Sequence, residues 1–197
     1  MSDTSTTDAN SDSGADGDSE SAVVLDFLAH GRSDGRSYGD GAVGYAVSTI
    51  DFTLYELSLS SDADIGILDR VQVRPEFETG IERGREVEYD DLSDGARSEL
   101  DYVVEDVVDA NERRFVDFYN DAQPISLRLH QLNLLPGIGE KLRDNILEER
   151  KRRGPFESFA DVSERVDGLH TPQEVIVERI LDEIRDPDLK YYNFAAS

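Results

Sequence analysis

Between residues 22 and 91, apolar positions fall in short runs or alternate with polar ones, the period-two pattern of half-buried strands. The run 23–28 predicts a first strand, ending before His30-Gly31, with a second over 43–47 and a third over 52–59. Val71-Gln72-Val73-Arg74 and Val87-Glu88-Tyr89 alternate as well and predict a fourth and a fifth strand. From Leu92 the period becomes helical. Ser93 stands as an N-cap, and Ala96, Leu100, Val103, Val104, Val107 and Val108 form one apolar stripe. A second helix is predicted over 111–120, with Phe115, Phe118 and Tyr119 facing inward and a break at Pro124. Leu127, Leu129 and Leu132 then predict a helix over 126–134.

That helix stops at Leu134-Leu135-Pro136-Gly137-Ile138-Gly139-Glu140-Lys141. Proline cannot continue it, and the two glycines permit a left-handed turn and close approach of another backbone. The next helix, predicted over 140–150, would begin with its free N–H groups pointing outward, a natural site for a phosphate oxygen. The tetrad and its flanking leucines resemble the helix-hairpin-helix motif, a nucleic-acid-binding element that does not read sequence. A second unit is predicted from Pro155-Phe156 and Ser158-Phe159 onward. Its turn is degenerate: Gly168 stands where the first glycine belongs, and His170 replaces the second. Thr171-Pro172-Gln173-Glu174 predicts a capping box opening a last helix to about Arg185, and the aromatic tail 190–194 is expected to fold back onto the helices.

Five short strands in about 70 residues suggest a small barrel of OB type. The chain is therefore expected to be α+β, with three parts: a disordered acidic tail over 1–21, an OB-like β-barrel over 22–91, and a helical domain over 92–197 carrying tandem helix-hairpin-helix units, one intact and one degenerate.

Charge changes the picture in two ways. The net charge of −24 argues against a polyanionic partner if taken alone. However, basic residues comprise 17 Arg and only 3 Lys, and acids are dense throughout, a composition that resembles extreme halophiles. At about 1 M salt the Debye length is about 3 Å, so net charge steers little, and directed amide and arginine contacts are expected to carry binding. Second, residues 128–153 hold seven basic side chains (Arg128, Lys141, Arg143, Arg150, Lys151, Arg152, Arg153) against four acidic ones, a local excess of +3. A cationic helix C-terminus also offsets the helix dipole, so part of that cluster needs no ligand.

With no cysteine, disulfides and thiolate chemistry are excluded, and His30, His130 and His170 are too scattered for a zinc site. No apolar run approaches a membrane span of about 18 residues, so a cytoplasmic protein without membrane contact is expected.

The helical stretch from Leu92, the turn at 134–141, Pro155-Phe156, Ser158-Phe159 and the Tyr191-Tyr192 tail resemble an archaeal family catalogued as domain of unknown function 655. The resemblance implies a barrel followed by a helical domain and a role with RNA or DNA. The expected function is non-enzymatic binding of nucleic acid, RNA slightly before DNA. The expected contacts are Pro136, Gly137, Ile138, Gly139, Lys141 and Arg143, with Arg150, Lys151, Arg152 and Arg153 nearby. Secondary contacts are expected at Arg32, Arg36, Tyr38, Gly168 and His170. No cofactor is expected beyond a monovalent cation held by carbonyls of the turn. Two alternatives stand beside this reading. One is a protein-interaction adaptor in transcription or translation. The other is a glycosylase-like enzyme, since Asp161 lies roughly twenty residues past the turn, where such enzymes carry a catalytic Asp.

Overall fold

The computed structural model describes residues 19–29 and 41–196. Strands β1 (Glu20–Leu28), β2 (Ala42–Ser48), β3 (Leu54–Leu59), β4 (Arg70–Arg74) and β5 (Ile81–Val87) form one antiparallel sheet, ordered β4-β1-β2-β3-β5 and curled into a half barrel. Period-two alternation gives the sheet two apolar faces. Ala22, Val24, Ala46, Tyr55, Leu57, Leu59, Val71, Val73 and Ile81 fill the concave side. Val23, Leu25, Val43, Tyr45, Val47 and Leu54 point to the helices. Between the two edge strands, Arg74 bridges to Glu86 (3.0 Å) and to Glu20 of β1 (3.2 Å).

Two expectations change here. β1 already includes Glu20 and Ser21, which pair with Arg74 and Gln72 of β4, so the chain is ordered inside the predicted tail. The fifth strand lies before the predicted position, and Tyr89 belongs instead to a 3₁₀ turn (Tyr89–Asp91). β5 is an edge strand whose only buried residue is Ile81, so its Glu-Arg-Gly-Arg-Glu stretch carries almost no apolar signal.

Helices α1 (Asp94–Ala110), α2 (Glu112–Asp121), α3 (Glu140–Arg153), α4 (Phe159–Arg165) and α5 (Pro172–Arg185) follow. α1 is the strut between sheet and helices. Its six-residue stripe is buried as the spacing required, and Ser93 caps it by accepting the Ala96 N–H (3.0 Å). The same hydroxyl donates to Asp26 of β1, where a bulge after Val24 shifts the register. A carboxylate thus sits at the positive end of α1, a favourable place for it. One apolar core runs from the convex face of the sheet through α1 and α2 to Ile146, Val162, Ile176 and Ile180.

The tail folds back as expected. Phe194 packs on Phe115 and Phe118 (ring centroids 5.9 and 4.8 Å apart), and the Ala196 N–H donates to the Asp51 carbonyl (2.8 Å). The capping box at Thr171 does not form. Proline occupies the first position of α5, but the threonine side chain makes no capping bond.

Candidate nucleic-acid interface

The segment before the first turn is not a helix. The chain leaves α2, and Pro124 and His130 form a β-bridge. The Leu129 carbonyl accepts the Ile125 and Ser126 N–H groups (2.8 and 3.0 Å), and only a short 3₁₀ turn (Gln131–Leu134) follows. Ser126 explains the departure. Its hydroxyl accepts from the Arg128 and Leu129 amides (3.3 and 3.2 Å), a local bond that competes with a helix. Leu132 is buried, whereas Leu127 is fully exposed. His130 caps the 3₁₀ turn, its Nδ1 accepting the Leu132 N–H (3.2 Å). Burial lowers the His130 pKa, and the positive charges of Arg150 and Arg143 push the same way, so the unprotonated ring that this bond needs is favoured.

The first turn itself has the form the tetrad predicts. The Ile138 N–H donates to the Leu135 carbonyl (3.2 Å), with Pro136 next and Gly137 at φ 73°, a type II geometry. Leu135 and Ile138 anchor it in the core. Asn133, which the sequence reading passed over, staples it: its Nδ2 donates to the Ile138 carbonyl (3.1 Å), and its Oδ1 accepts from Arg143 (3.2 Å). Gly139 is the N-cap of α3 and brings no side chain to the first-turn amides, and Gly139, Glu140 and Lys141 are exposed. Serines cap α1 and α4.

Gly139 adopts φ −79° and ψ −178°, an extended conformation open to any residue, and a Cβ there would meet nothing within 4 Å. Nothing inside the protein calls for a glycine. Gly137 is different: its backbone is left-handed, although the space around it is equally open.

The second turn repeats the backbone of the first. The Leu169 N–H donates to the Val166 carbonyl (3.1 Å), Gly168 takes φ 91°, and Val166 and Leu169 are buried. It lies against α3: a Cβ on Gly168 would be 3.8 Å from Leu142 Cδ1, and Asn145 Nδ2 donates to the Asp167 carbonyl (3.4 Å). Exposed His170 gives its carbonyl to the Ser163 hydroxyl (3.0 Å), and Pro172 removes one amide from the start of α5.

The basic cluster divides by role. Arg150 points inward and donates to the carbonyls of Tyr119, Asn120 and Ala122 (3.1, 2.5 and 3.2 Å), closing the C-terminus of α2. Arg143 serves Asn133 and Asp144. Arg152 and Arg153 share Glu149. Arg128, Lys141 and Lys151 have no carboxylate partner among the described residues. Lys151 lies about 15 Å along α3 from Lys141, too far to touch the same phosphate. Arg32, Arg36 and Tyr38 lie outside the described residues.

Asp161 is occupied structurally. Its Oδ2 accepts the Glu157 N–H (3.1 Å) and pairs with Arg165 (2.8 Å). Burial alone would raise its pKa, but the Glu157 amide and the charges of Arg165 and Arg153 together outweigh that and hold it below the usual carboxylate value. A cleft of about 520 Å³ between β5, the Tyr89–Asp91 turn and the end of α5 includes none of the expected binding residues. Among the described residues no group of three or more His, Asp or Glu is placed to hold a metal ion, and no helix is long and apolar enough to cross a membrane.

The same architecture occurs in a crystal structure of a protein from Archaeoglobus fulgidus described as belonging to the DUF655 family model. It is 38% identical, with a TM-score of 0.80, and the match covers 90% of this chain and 99% of that one. An uncharacterised protein of Methanocaldococcus jannaschii is 37% identical over 175 residues, 88% of this chain and 78% of that protein. The model of the protein family of unknown function DUF655 matches residues 18–196, and the chain belongs to that family.

Proposed function

We propose that this protein binds the sugar–phosphate backbone of nucleic acid, RNA in preference to duplex DNA, through the turn at 135–139 and the first amides of α3, without catalysing a reaction. The observation that carries this reading is Gly139. It is a glycine that neither its own backbone angles nor any neighbour requires, at the mouth of a helix whose amides no side chain caps. A phosphate seated on those amides would supply the reason, because a Cβ there would stand in its path. Lys141 lies beside the amides with no carboxylate partner among the described residues, and Asn133 and Arg143 hold the turn in shape. Such contacts position a backbone and do not read bases. A monovalent cation on the turn's carbonyls belongs to the same reading.

The sheet supports a single-stranded partner. The order β4-β1-β2-β3-β5 is that of a five-stranded OB-type barrel opened between β4 and β5. A halophilic setting reconciles the acidity of the chain with this partner, since screening over a few ångströms leaves short hydrogen bonds as the effective contacts.

The test is fluorescence anisotropy with single-stranded RNA and duplex DNA in molar KCl, comparing wild type with Gly139→Asp. Binding by the wild type and its loss in the variant, with an unchanged circular dichroism spectrum, supports the reading. Equal binding by both overturns it.

A specific observation favours a second reading, the adaptor. Ile67 and Leu68 are adjacent and half exposed, and Leu68 takes a left-handed φ of 68°, rare for a bulky residue. A stoichiometric protein partner recovered after nuclease treatment and lost in Leu68→Ser would establish that role.

A further inference from the structure

Leu127 is the most exposed large apolar residue among those described, with a relative accessibility of 106% against 67% for Tyr102. It is held there by a loop closed by several hydrogen bonds. The Pro124–His130 bridge closes the base, and the Leu129 carbonyl accepts two amides across it. The Ser126 hydroxyl accepts two more, and Gln123 and Gln131 bond twice just below. None of these bonds uses the Leu127 side chain. The loop is thus complete without it and presents it at the tip.

The tip has a definite place relative to the phosphate site. His130 closes the loop and caps the 3₁₀ turn, whose Asn133 is stapled to the first turn and to α3. Chain geometry keeps Leu127 within about 25 Å of Gly137, inside the span of a few nucleotides of one strand. The next residue, Arg128, is exposed and has no carboxylate partner among the described residues, in a chain where acids outnumber bases by 44 to 20. An apolar knob beside a guanidinium that has no carboxylate partner among the described residues complements a surface that alternates apolar slots with anions. Stacked bases flanked by phosphates are such a surface.

Resting on the binding role argued above, we infer that Leu127 is a wedge that enters the base stack of the bound strand, with Arg128 on the adjacent phosphate. The first turn fixes the backbone and the loop opens a base step. No covalent bond changes. The preferred substrate is then a strand whose stacking is weak, such as single-stranded RNA, over a uniformly stacked duplex.

The experiment uses the full chain and a short single-stranded RNA carrying 2-aminopurine at every third position, a base whose fluorescence rises when it is unstacked. Binding is read by anisotropy and unstacking by intensity on the same samples at saturating protein. Wild type should bind and brighten the probe. Leu127→Ser should melt at the wild-type temperature, bind roughly tenfold more weakly and leave the probe dark at saturation. Leu127→Met should retain the brightening. Arg128→Gln should brighten the probe and lower the salt slope of binding by about 1. Binding without brightening in the wild type, or equal brightening with Leu127→Ser, overturns the wedge while leaving the turn as the phosphate site. Absence of wild-type binding overturns both.

Discussion

The turns at 135–138 and 166–169 share a backbone and differ in what surrounds it. Each has a left-handed glycine in third place, a bond from the fourth N–H to the first carbonyl, and two apolar anchors in the core. The first opens onto solvent and is followed by a glycine and an uncapped helix. The second leans on Leu142 and Asn145 of α3 and is followed by His170 and a proline. The second also has the more regular approach, a serine-capped helix (α4), whereas the first is reached through a loop and a 3₁₀ turn. The turn with the regular approach is thus the one that touches a neighbouring helix, and the turn with open space around it is the one reached irregularly. The sequence leads one to expect the regular helical approach at the first turn, and it is found at the second.

The sharpest way to break this comparison is at the residue after each turn. Gly139→Asp should weaken RNA binding by at least about 100-fold, through charge repulsion and lost amide contacts, and change stability by less than about 0.5 kcal/mol. His170→Asp should leave affinity within about threefold, both read by anisotropy and thermal melting. If the two variants lose binding equally, the turns are functionally equivalent and the distinction fails.

Arg150 tests whether the basic cluster belongs to the interface or to the frame. Arg150→Met leaves three carbonyls at the end of α2 without their donor and should destabilise the fold by about 2–3 kcal/mol in urea titrations. Lys151→Met, with no such partners, should cost less than about 0.5 kcal/mol. Comparable losses would mean that the inward guanidinium is not structural.

Conformation alone should make the two turn glycines alike. Gly137→Ala and Gly168→Ala each force a Cβ into a left-handed backbone and should cost about 1–2 kcal/mol, while Gly139→Ala, at an extended N-cap where alanine is a poorer cap than glycine, should cost about 0.5 kcal/mol. The smallest effect concerns the cap before the first turn. The folded pKa of His130 is depressed, so its contribution is present above the unfolded value of about 6.5 and is lost as pH falls below that value toward the folded pKa. His130→Asn keeps an acceptor at the cap but does not titrate, so its melting temperature should depend less steeply on pH in that range.

The parts of the fold that were legible are those where one signal dominates. The stripe of α1 lies at helical spacing and its residues are buried, Ser93 caps as placed, and Pro136-Gly137 makes the turn expected of it. The leucines at 127, 129 and 132 misled because a helical spacing was assigned where Ser126, Gln123 and Gln131 had local bonds to make. β5 lies away from the predicted position because an exposed edge strand of acids, arginines and a glycine has no apolar face to read. At the candidate site, counting charges marks a region but does not separate Arg150, folded inward onto carbonyls, from Lys141, which has no carboxylate partner among the described residues. Asn133 carried no signal at all, since its role exists only once the turn and α3 meet.

The buried carboxylate of Glu183 binds Arg179 (2.7 Å) and accepts the N–H groups of Asn193, Phe194 and Ala195 (2.9, 2.8 and 2.9 Å). Releasing any one of these partners leaves a desolvated charge short of a donor, so peeling the tail away step by step is unfavourable. The three amides should therefore resist hydrogen–deuterium exchange as long as those of α5 do, although they lie in a segment with neither helix nor strand. The last stretch of the described chain should then open only when the helical core does, which would make its exchange rate a local reporter of global unfolding.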